Sequence, residues 1–443
     1  MTVTCLPKDP GVSGWNAILP AAASAEVLDE NITADWLVIG AGFAGLAATY
    51  RLAQLHPRDR IVMLEATRVG EGPAGRNSGF MIDLPHDLAS DDYGGALEAD
   101  KVQTRANRAA IQFAADMATE YGLTREAFSL TGKTNAAASA KGHQHNLDYA
   151  KHLTKMGEPH EMLDAAQMRA MTGIEYYQSG LFTPGAAILQ PALFVRDVAD
   201  NMRTDRVKIF EASPVTNLTR NGTWRATTPK GSVTAPKVIL AVNGHANSFG
   251  HFKGQLLHVF TYGSMTRALS DDECTRLGGE ANWGVTPADP MGTTVRRIKG
   301  VGGDRIIVRN RFTYDPTMQV SDARVARVGR DHDAAFAARF PMLAGVDMQY
   351  RWGGRLCLSW NNAPALGECD EGLFAACCQN GLGVAKGTLH GMLMAEMASG
   401  QRSDLLEAVL AQDAPKRLPP APLTYIGAKA VMRWGEYKAG REL

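Results

Sequence analysis

Apolar residues along this chain fall into two patterns. The first is short unbroken runs bounded by Gly, Pro or Asn: Trp36 to Ile39, Ile61 to Leu64, Val207 to Phe210, Lys237 to Val242, and Leu373 to Cys378. Runs of that length, apolar on both faces, predict buried parallel strands. The second pattern is helical spacing. It covers Ala47, Ala48, Tyr50, Leu52 and Ala53, then Ala106, Ala110, Ile111, Phe113, Ala114 and Met117 between Gly95 and Tyr121. Further helices are expected over His145 to Met156, from a capped start at Asp164-Ala-Ala-Gln, over Ala192 to Met202 behind Pro191, over Asp322 to Phe340, and over Thr388 to Ala398.

Between these lie weaker β signals. Phe128 to Ala138 reads as a strand with a Thr-Gly turn, and Trp224 to Ala226 as a short strand. From about Gly254 to Trp352 the pattern turns mostly β, with Leu257 to Tyr262, Arg305 to Val308 and Gln349 to Trp352 as strands. The chain therefore begins a βαβ domain, leaves it to build a second sheet, and returns. The expected division is an N-terminal arm over 1–33 lying on the surface, a cofactor domain from 34–90, 165–250 and 350–443, and a substrate domain from 91–164 and 251–349. Ala428 to Tyr437 is amphipathic, with Val431, Met432 and Trp434 among Lys429, Arg433 and Lys438; a helix packed on its own protein is expected, with membrane contact as the alternative.

The first βαβ unit carries chemistry. The strand ending at Ile39 meets Gly40-Ala41-Gly42-Phe43-Ala44-Gly45, a helix follows, and the next strand ends on Glu65. Gly40 permits the tight turn, Gly42 lets a pyrophosphate approach the backbone, and Gly45 lets the helix sit close to the strand. The helix start offers unpaired N–H groups to phosphate, and Glu65 has the spacing of the acid that accepts ribose hydroxyls. After it, Gly70, Gly72, Gly75 and Gly79 interrupt any regular element. Arg76, Asn77 and Ser78 in that loop are contacts to a cofactor's phosphates or ring, or else surface loop residues with a solvated arginine. Near the other end, Gly381-Leu382-Gly383-Val384 follows an apolar strand and opens a second helix. It is not a second GxGxxG, which argues for one dinucleotide held from both ends of the chain.

Composition narrows the partners. Lys plus Arg and Asp plus Glu both number 46, so no net field draws the chain to nucleic acid. No apolar run reaches membrane-spanning length and no signal peptide is visible, so a cytoplasmic protein with reduced thiols is expected. The six cysteines show no CxxC pair, and His86, His143, His145 and His245 lack metal-ligand spacing, so no metal is expected.

Gly14-Trp15-Asn16 with Leu19-Pro20, VIGAGFAGLAAT, GRNSGF, LQPALFVRDVA, VILAVNGHA, RWGGRL with APALG, and NGLGVAKGTLHG together resemble the FAD-dependent family of D-amino acid oxidase, glycine oxidase and sarcosine oxidase. The likeness is greatest to its gamma-glutamylputrescine oxidase branch. The resemblance implies a glutathione-reductase-type, Rossmann-like FAD-binding domain with an inserted, mostly antiparallel β domain. It implies that Gly40, Gly42, Phe43, Ala44, Gly45, Glu65 and Ala66 hold the ADP half of FAD, with Val215 and Asn243 alongside. Arg76, Asn77, Ser78 and Gly79 would border the flavin ring, and Gly381, Leu382, Gly383 and Val384 its N1–C2=O edge. Relatives often carry histidine where this chain has Leu382. Some sarcosine oxidases bind flavin through a cysteine, and Cys357 lies in a comparable neighbourhood; non-covalent FAD and a buried free thiol are the expectation here.

The activity the resemblance implies is oxidation of an amine C–N bond by hydride transfer to flavin N5, with imine hydrolysis and reoxidation by dioxygen or another electron acceptor. Such chemistry asks for a positioned C–H and a dry pocket more than for acid–base groups. Tyr262, Arg309 and Trp352, with Arg311 and Trp360, are the pocket candidates: aromatics to wall the amine, an arginine to clamp a carboxylate. Core packing and solvated strand charge are the alternatives for each. A gamma-glutamylputrescine-like amine is the first expectation for substrate, small amino acids the second, and a flavin dehydrogenase or non-catalytic flavin binder the remaining alternatives.

Overall fold

A computed structural model describes residues 1–85 and 95–443. His86 and the domain boundary expected at 90 lie outside the described residues. The buried apolar runs do form one sheet. Its order is Val207–Phe210, Ile61–Leu64, Trp36–Ile39, Lys237–Leu240, Leu373–Cys377 and Ala365–Asp370, parallel throughout except for the last strand. Trp36–Ile39, Ile61–Leu64 and Leu373–Cys377 are buried at every position, as strands covered on both faces must be.

Two helices cover one face of this sheet. Phe43–Leu55 follows the first glycine turn and Gly383–Ala398 the last strand, and both are apolar around most of their circumference. They pack closely because glycines face backbone. A Cβ on Gly391 would stand 2.0 Å from the Ala44 carbonyl oxygen, and one on Gly387 would stand 3.3 Å from Phe43 Cβ. The second helix begins at Gly383, five residues ahead of the expected Thr388, because a glycine in the first turn of a helix need not break it. Leu97–Glu120 packs against the same helix through the predicted stripe, which joins the core beneath the sheet.

The second sheet has eight strands, in the order Met348–Ser359, Leu256–Thr266, Gly303–Tyr314, Thr294–Gly300, Trp283–Pro287, Lys133–Ala137, Ser179–Thr183 and Glu161–Leu163. All neighbours are antiparallel except Trp283–Pro287 with Lys133–Ala137. Ser179–Thr183 and Met348–Ser359 come from stretches adjoining or within the segments expected of the cofactor domain. The stretch Phe128 to Ala138 divides between two sheets, Ser129–Leu130 and Lys133–Ala137, around Gly132 at φ +74°. Trp283–Pro287, Thr294–Gly300 and the Ser270-capped helix Asp271–Leu277 were not legible as elements, being short and without a sustained apolar period.

The N-terminal arm is exposed or half-buried over most of 1–33, but Ser13, Gly14 and Trp15 are buried. Trp15 is fully buried in a cluster with Met265, Ile307 and Trp352. The C-terminal helix Ala421–Ala439 packs one face against Gly303–Tyr314, with Glu436 ion-paired to Arg311 at 3.0 Å. No helix among the described residues is long and apolar enough to cross a membrane.

Candidate cofactor and substrate cavity

One elongated cavity of about 300 Å³ lies between the two sheets, within the range of cofactor and ligand sites. Its near end is the first glycine turn. Gly40 takes φ +101°, and a Cβ there would meet the Ala241 carbonyl at 2.6 Å. Gly45 has no room either, since its Cβ would fall 1.8 Å from the Gly40 oxygen. Gly42 is different: a Cβ would find only the Ala74 methyl, at 3.6 Å, and would otherwise enter the cavity. The helix that follows has no side-chain cap among the described residues, so its first N–H groups are left for a ligand.

Glu65 stands at the end of the neighbouring strand. Its carboxylate accepts the Ala41 N–H at 3.0 Å and the Thr67 N–H at 2.9 Å, with the Thr67 hydroxyl at 3.2 Å. A carboxylate has about four acceptor positions, so capacity remains for a sugar hydroxyl. Burial raises its pKa against the lowering effect of those donors. Ala66, Val215 and Asn243 wall the same end. Asn243, at φ +48°, spends its side-chain oxygen on the Cys378 N–H at 3.1 Å.

A second helix N-terminus enters beside the first, the Gly387 position lying against Phe43. Gly381, Leu382, Gly383, Val384 and Ala385 all line the cavity, no described side chain caps the helix, and a Cβ on Gly383 would meet nothing within 4 Å. Two uncapped helix dipoles therefore converge on one cavity, both suited to negative charge.

The arm contributes Val3, Cys5, Leu6, Pro7 and Asp9 to the wall, which sequence pattern did not foretell. Asp9 pairs with Arg355 at 3.0 Å, and Arg355 also contacts His245. Burial, with Arg355 beside them, holds the His245 pKa down to about 3 and that of His258 to about 4, so both rings are neutral at physiological pH. Cys357 lies on this wall too. A hydrogen bond with Cys378, together with burial, raises its thiol well above the ordinary value.

At the far end Arg309 and Phe312 face the cavity with Phe260, Thr286, Pro287, Pro290, Thr294 and Met318. The Arg309 guanidinium lies over the Phe312 ring at 4.6 Å. Asn77 and Ser78 line the middle, alongside Phe80 and Ile82.

Several expected site residues lie elsewhere. The Arg76 side chain turns away from the cavity, donating to the carbonyls of Glu71, Pro10, Gly11 and Gly353; burial lowers its pKa. It braces the loop against the arm. Gly79 is off the wall as well, held beside Arg296, whose guanidinium donates to the Ser78 and Leu189 carbonyls. Gly45 acts at the helix–turn contact and not on the wall. Tyr262 is buried against Val325 and Val328 and off the cavity wall, its hydroxyl on Thr313 at 2.7 Å, and burial raises its pKa to about 12. Trp352 packs with Trp15 and donates to the Arg76 carbonyl at 2.9 Å. Position along the strands explains both: the paired residues Val259, Phe260, Arg355 and Leu356 line the cavity, and Tyr262 and Trp352 lie further along the same two strands. Arg311 pairs with Asp331 and Glu436, and Trp360 is 66 % exposed. Among the described residues no group of three or more His, Cys, Asp or Glu side chains could hold a metal ion.

A parallel sheet with a glycine turn and strand-end acid, faced across a cavity by a second sheet, defines a dinucleotide-binding α/β protein. The chain belongs to the FAD dependent oxidoreductase (DAO) family, whose sequence profile matches residues 35–397. Gamma-glutamylputrescine oxidoreductase of Escherichia coli (strain K12) is 24 % identical over 387 residues, covering 85 % of this chain and 86 % of that protein. Probable oxidoreductase OrdL of Rhizobium meliloti (strain 1021) is 23 % identical over 412 residues, 90 % of this chain and 91 % of its own. Among solved structures, glycine oxidase from Geobacillus kaustophilus matches with a TM-score of 0.69 at 19 % identity, over 87 % of this chain and 99 % of that one. Iminodiacetate oxidase from Chelativorans sp. BNC1 matches at 0.67 and 16 % identity, over 86 % and 100 %. These structures share the fold.

Proposed function

We propose that the protein is a cytoplasmic, FAD-dependent amine oxidase acting on a primary or secondary amine of the gamma-glutamylputrescine kind. The observation that carries this reading is the convergence of two uncapped helix N-termini and Glu65 on one cavity whose far end sets Phe260, Phe312, Pro287 and Pro290 beside Arg309. Gly42 and the N–H groups of Phe43 and Ala44 would receive the pyrophosphate, and Glu65 the ribose. The helix start at Gly383 and Val384 would meet the flavin's N1–C2=O edge, where fixed N–H dipoles stabilise charge without reorganising. When bound, FAD supplies the acceptor for a hydride from the carbon beside nitrogen, the resulting imine hydrolysing in water and dioxygen being reduced to hydrogen peroxide.

The chain's own residues position and exclude. Phe260, Phe312, Pro287 and Pro290 keep the far end dry around the amine. FAD is held non-covalently, because the raised pKa of Cys357 disfavours the thiolate that attachment would need. Acid precipitation should therefore release all the flavin. In this reading 34–90, 165–250 and 350–443 supply most of the cofactor domain and 91–164 with 251–349 most of the substrate domain, with Ser179–Thr183 and Met348–Ser359 given to the second sheet and Leu97–Glu120 to the core of the first.

Arg309 on the cavity wall favours a second reading, an oxidase of small amino acids whose carboxylate it would clamp bidentately. A peroxide assay over free amines, gamma-glutamyl conjugates and small amino acids, repeated on Arg309→Met and Arg311→Met, separates them. Turnover confined to small amino acids and lost in Arg309→Met overturns the first reading; turnover of uncharged amines untouched by either change supports it. Flavin that stays bleached in air would mark a dehydrogenase with another acceptor.

A further inference from the structure

We propose that the outer face of the C-terminal helix, Ala421–Ala439, seats the protein on an anionic lipid surface. The helix has two apolar faces. The inner one packs on the strand Gly303–Tyr314, with Thr424 and Ala439 buried and Gly435 against Met291. The outer one carries Leu423, Ile426, Ala430, Trp434 and Tyr437, at spacings of three and four that bring them into one stripe, with Val431 at its edge. Leu423 is 62 % exposed, Ile426 65 %, Val431 72 %, Trp434 63 % and Tyr437 78 %, so nothing among the described residues covers the stripe. Trp434 and Tyr437 stack at 5.8 Å on this face, the pair of side chains that settles at the headgroup level of a bilayer.

Charge decides the occupant. Lys429 and Arg433 border the stripe on one side and Lys438 on the other. The segment's acids are turned inward. Glu436 pairs with Arg311 at 3.0 Å, and Glu442 is 3 % exposed with its carboxylate on the Ala138 and Ser139 N–H groups. A second copy of the helix laid against this face would bring the same cations together. An anionic headgroup layer complements them, and an apolar stripe rimmed by Lys and Arg is the composition of a helix lying in the interface plane. The surface so placed lies behind the strand that carries Arg309 and Phe312 into the cavity.

The test is sedimentation of the FAD-loaded protein with vesicles of phosphatidylglycerol mixed into phosphatidylcholine, and of phosphatidylcholine alone. Binding is expected only to the anionic vesicles and should fade in high salt. Lys429→Gln with Arg433→Gln should lower partitioning about fivefold per cation removed. Trp434→Ser with Tyr437→Ser should lower it tenfold or more, on the order of the transfer free energy of one large side chain. Circular dichroism and flavin content, unchanged in both variants, exclude misfolding as the cause. No sedimentation with anionic vesicles, or equal sedimentation of wild type and variants, overturns the proposal. So does a dimer in light scattering that Trp434→Ser with Tyr437→Ser converts to monomer without vesicle binding.

Discussion

Gly42 and Gly45 sit three residues apart in one turn, yet the structure assigns them opposite failures. At Gly45 a methyl group would overlap the Gly40 oxygen at 1.8 Å and its carbon at 2.9 Å, both backbone atoms that cannot rotate away. The helix Phe43–Leu55 would have to retreat by roughly an ångström, and nine of its residues are buried. Overpacking of this kind costs about 1–3 kcal/mol, and a rigid backbone contact belongs at the upper end. At Gly42 the methyl meets only Ala74 at 3.6 Å, and φ −87° with ψ −171° is extended backbone that any residue adopts. Gly42→Ala and Gly42→Val should therefore fold with stability within about 1 kcal/mol of wild type, since Gly removal and the poorer cap nearly offset. Their methyl groups occupy the space the pyrophosphate needs, so FAD affinity should fall by about a hundredfold for Ala and beyond measurement for Val. Urea denaturation of the apoprotein and flavin absorbance of the purified protein read the two quantities separately. Full flavin content in Gly42→Val, or wild-type stability in Gly45→Ala, would refute this division of labour.

Glu65→Ala should weaken FAD binding about ten- to hundredfold, the worth of a charged hydrogen bond, in titrations of apoprotein with flavin; an unchanged dissociation constant removes Glu65 from the site. Tyr262→Phe should lower stability by about 1 kcal/mol through its lost hydrogen bond, and Trp352→Phe by more because it also leaves a void beside Trp15 and Met265, while both leave kcat/KM unaltered because neither side chain reaches the cavity; a large kcat loss in either would return it to the site. Burial holds His258 at about 4 and His332 and His390 at about 3, below the ordinary 6.5. The folded chain thus binds fewer protons than the unfolded one in that window, so their contribution is intact above 6.5 and is lost as pH falls toward 4. One unit below 6.5 the three histidines together withdraw a few kcal/mol, on the order of 4, so the urea midpoint should drop sharply between pH about 7.5 and about 5.5. A flat midpoint would contradict the buried neutral rings.

Local chemistry was legible and long-range chemistry was not. The glycine turn, Glu65 and the returning Gly381–Val384 segment line the cavity and were readable as a group because strand end, turn and helix start are neighbours in sequence. Arg76 was misplaced because a loop arginine's partner cannot be read from spacing, and its partners are carbonyls at 10, 11 and 353. Tyr262 and Trp352 failed for a different reason. Their strands were located, but the cavity takes only the part of the pair around Val259–Phe260 and Arg355–Cys357, and how far along a strand a cavity reaches is set by packing between distant segments. The pairing of Asp9 with Arg355 spans nearly the whole chain and left no trace in composition. Leu256–Thr266 is buried on both faces, so alternation was absent where it would have helped most.

The contact of Gly391 with the Ala44 carbonyl has a bearing on how the enzyme is made. Residues near 42 and near 383 both line one cavity, and the helices behind them touch directly. Contacts that distant in sequence close late and slowly. During synthesis the first βαβ unit emerges early with half a site, its helix lacking the neighbour that covers it. The cavity is complete only when residue 391 has left the ribosome, so flavin capture belongs to the final stage of folding. A cell short of flavin would then accumulate chains arrested at that last step, with the seam between the two helices as their weakest joint.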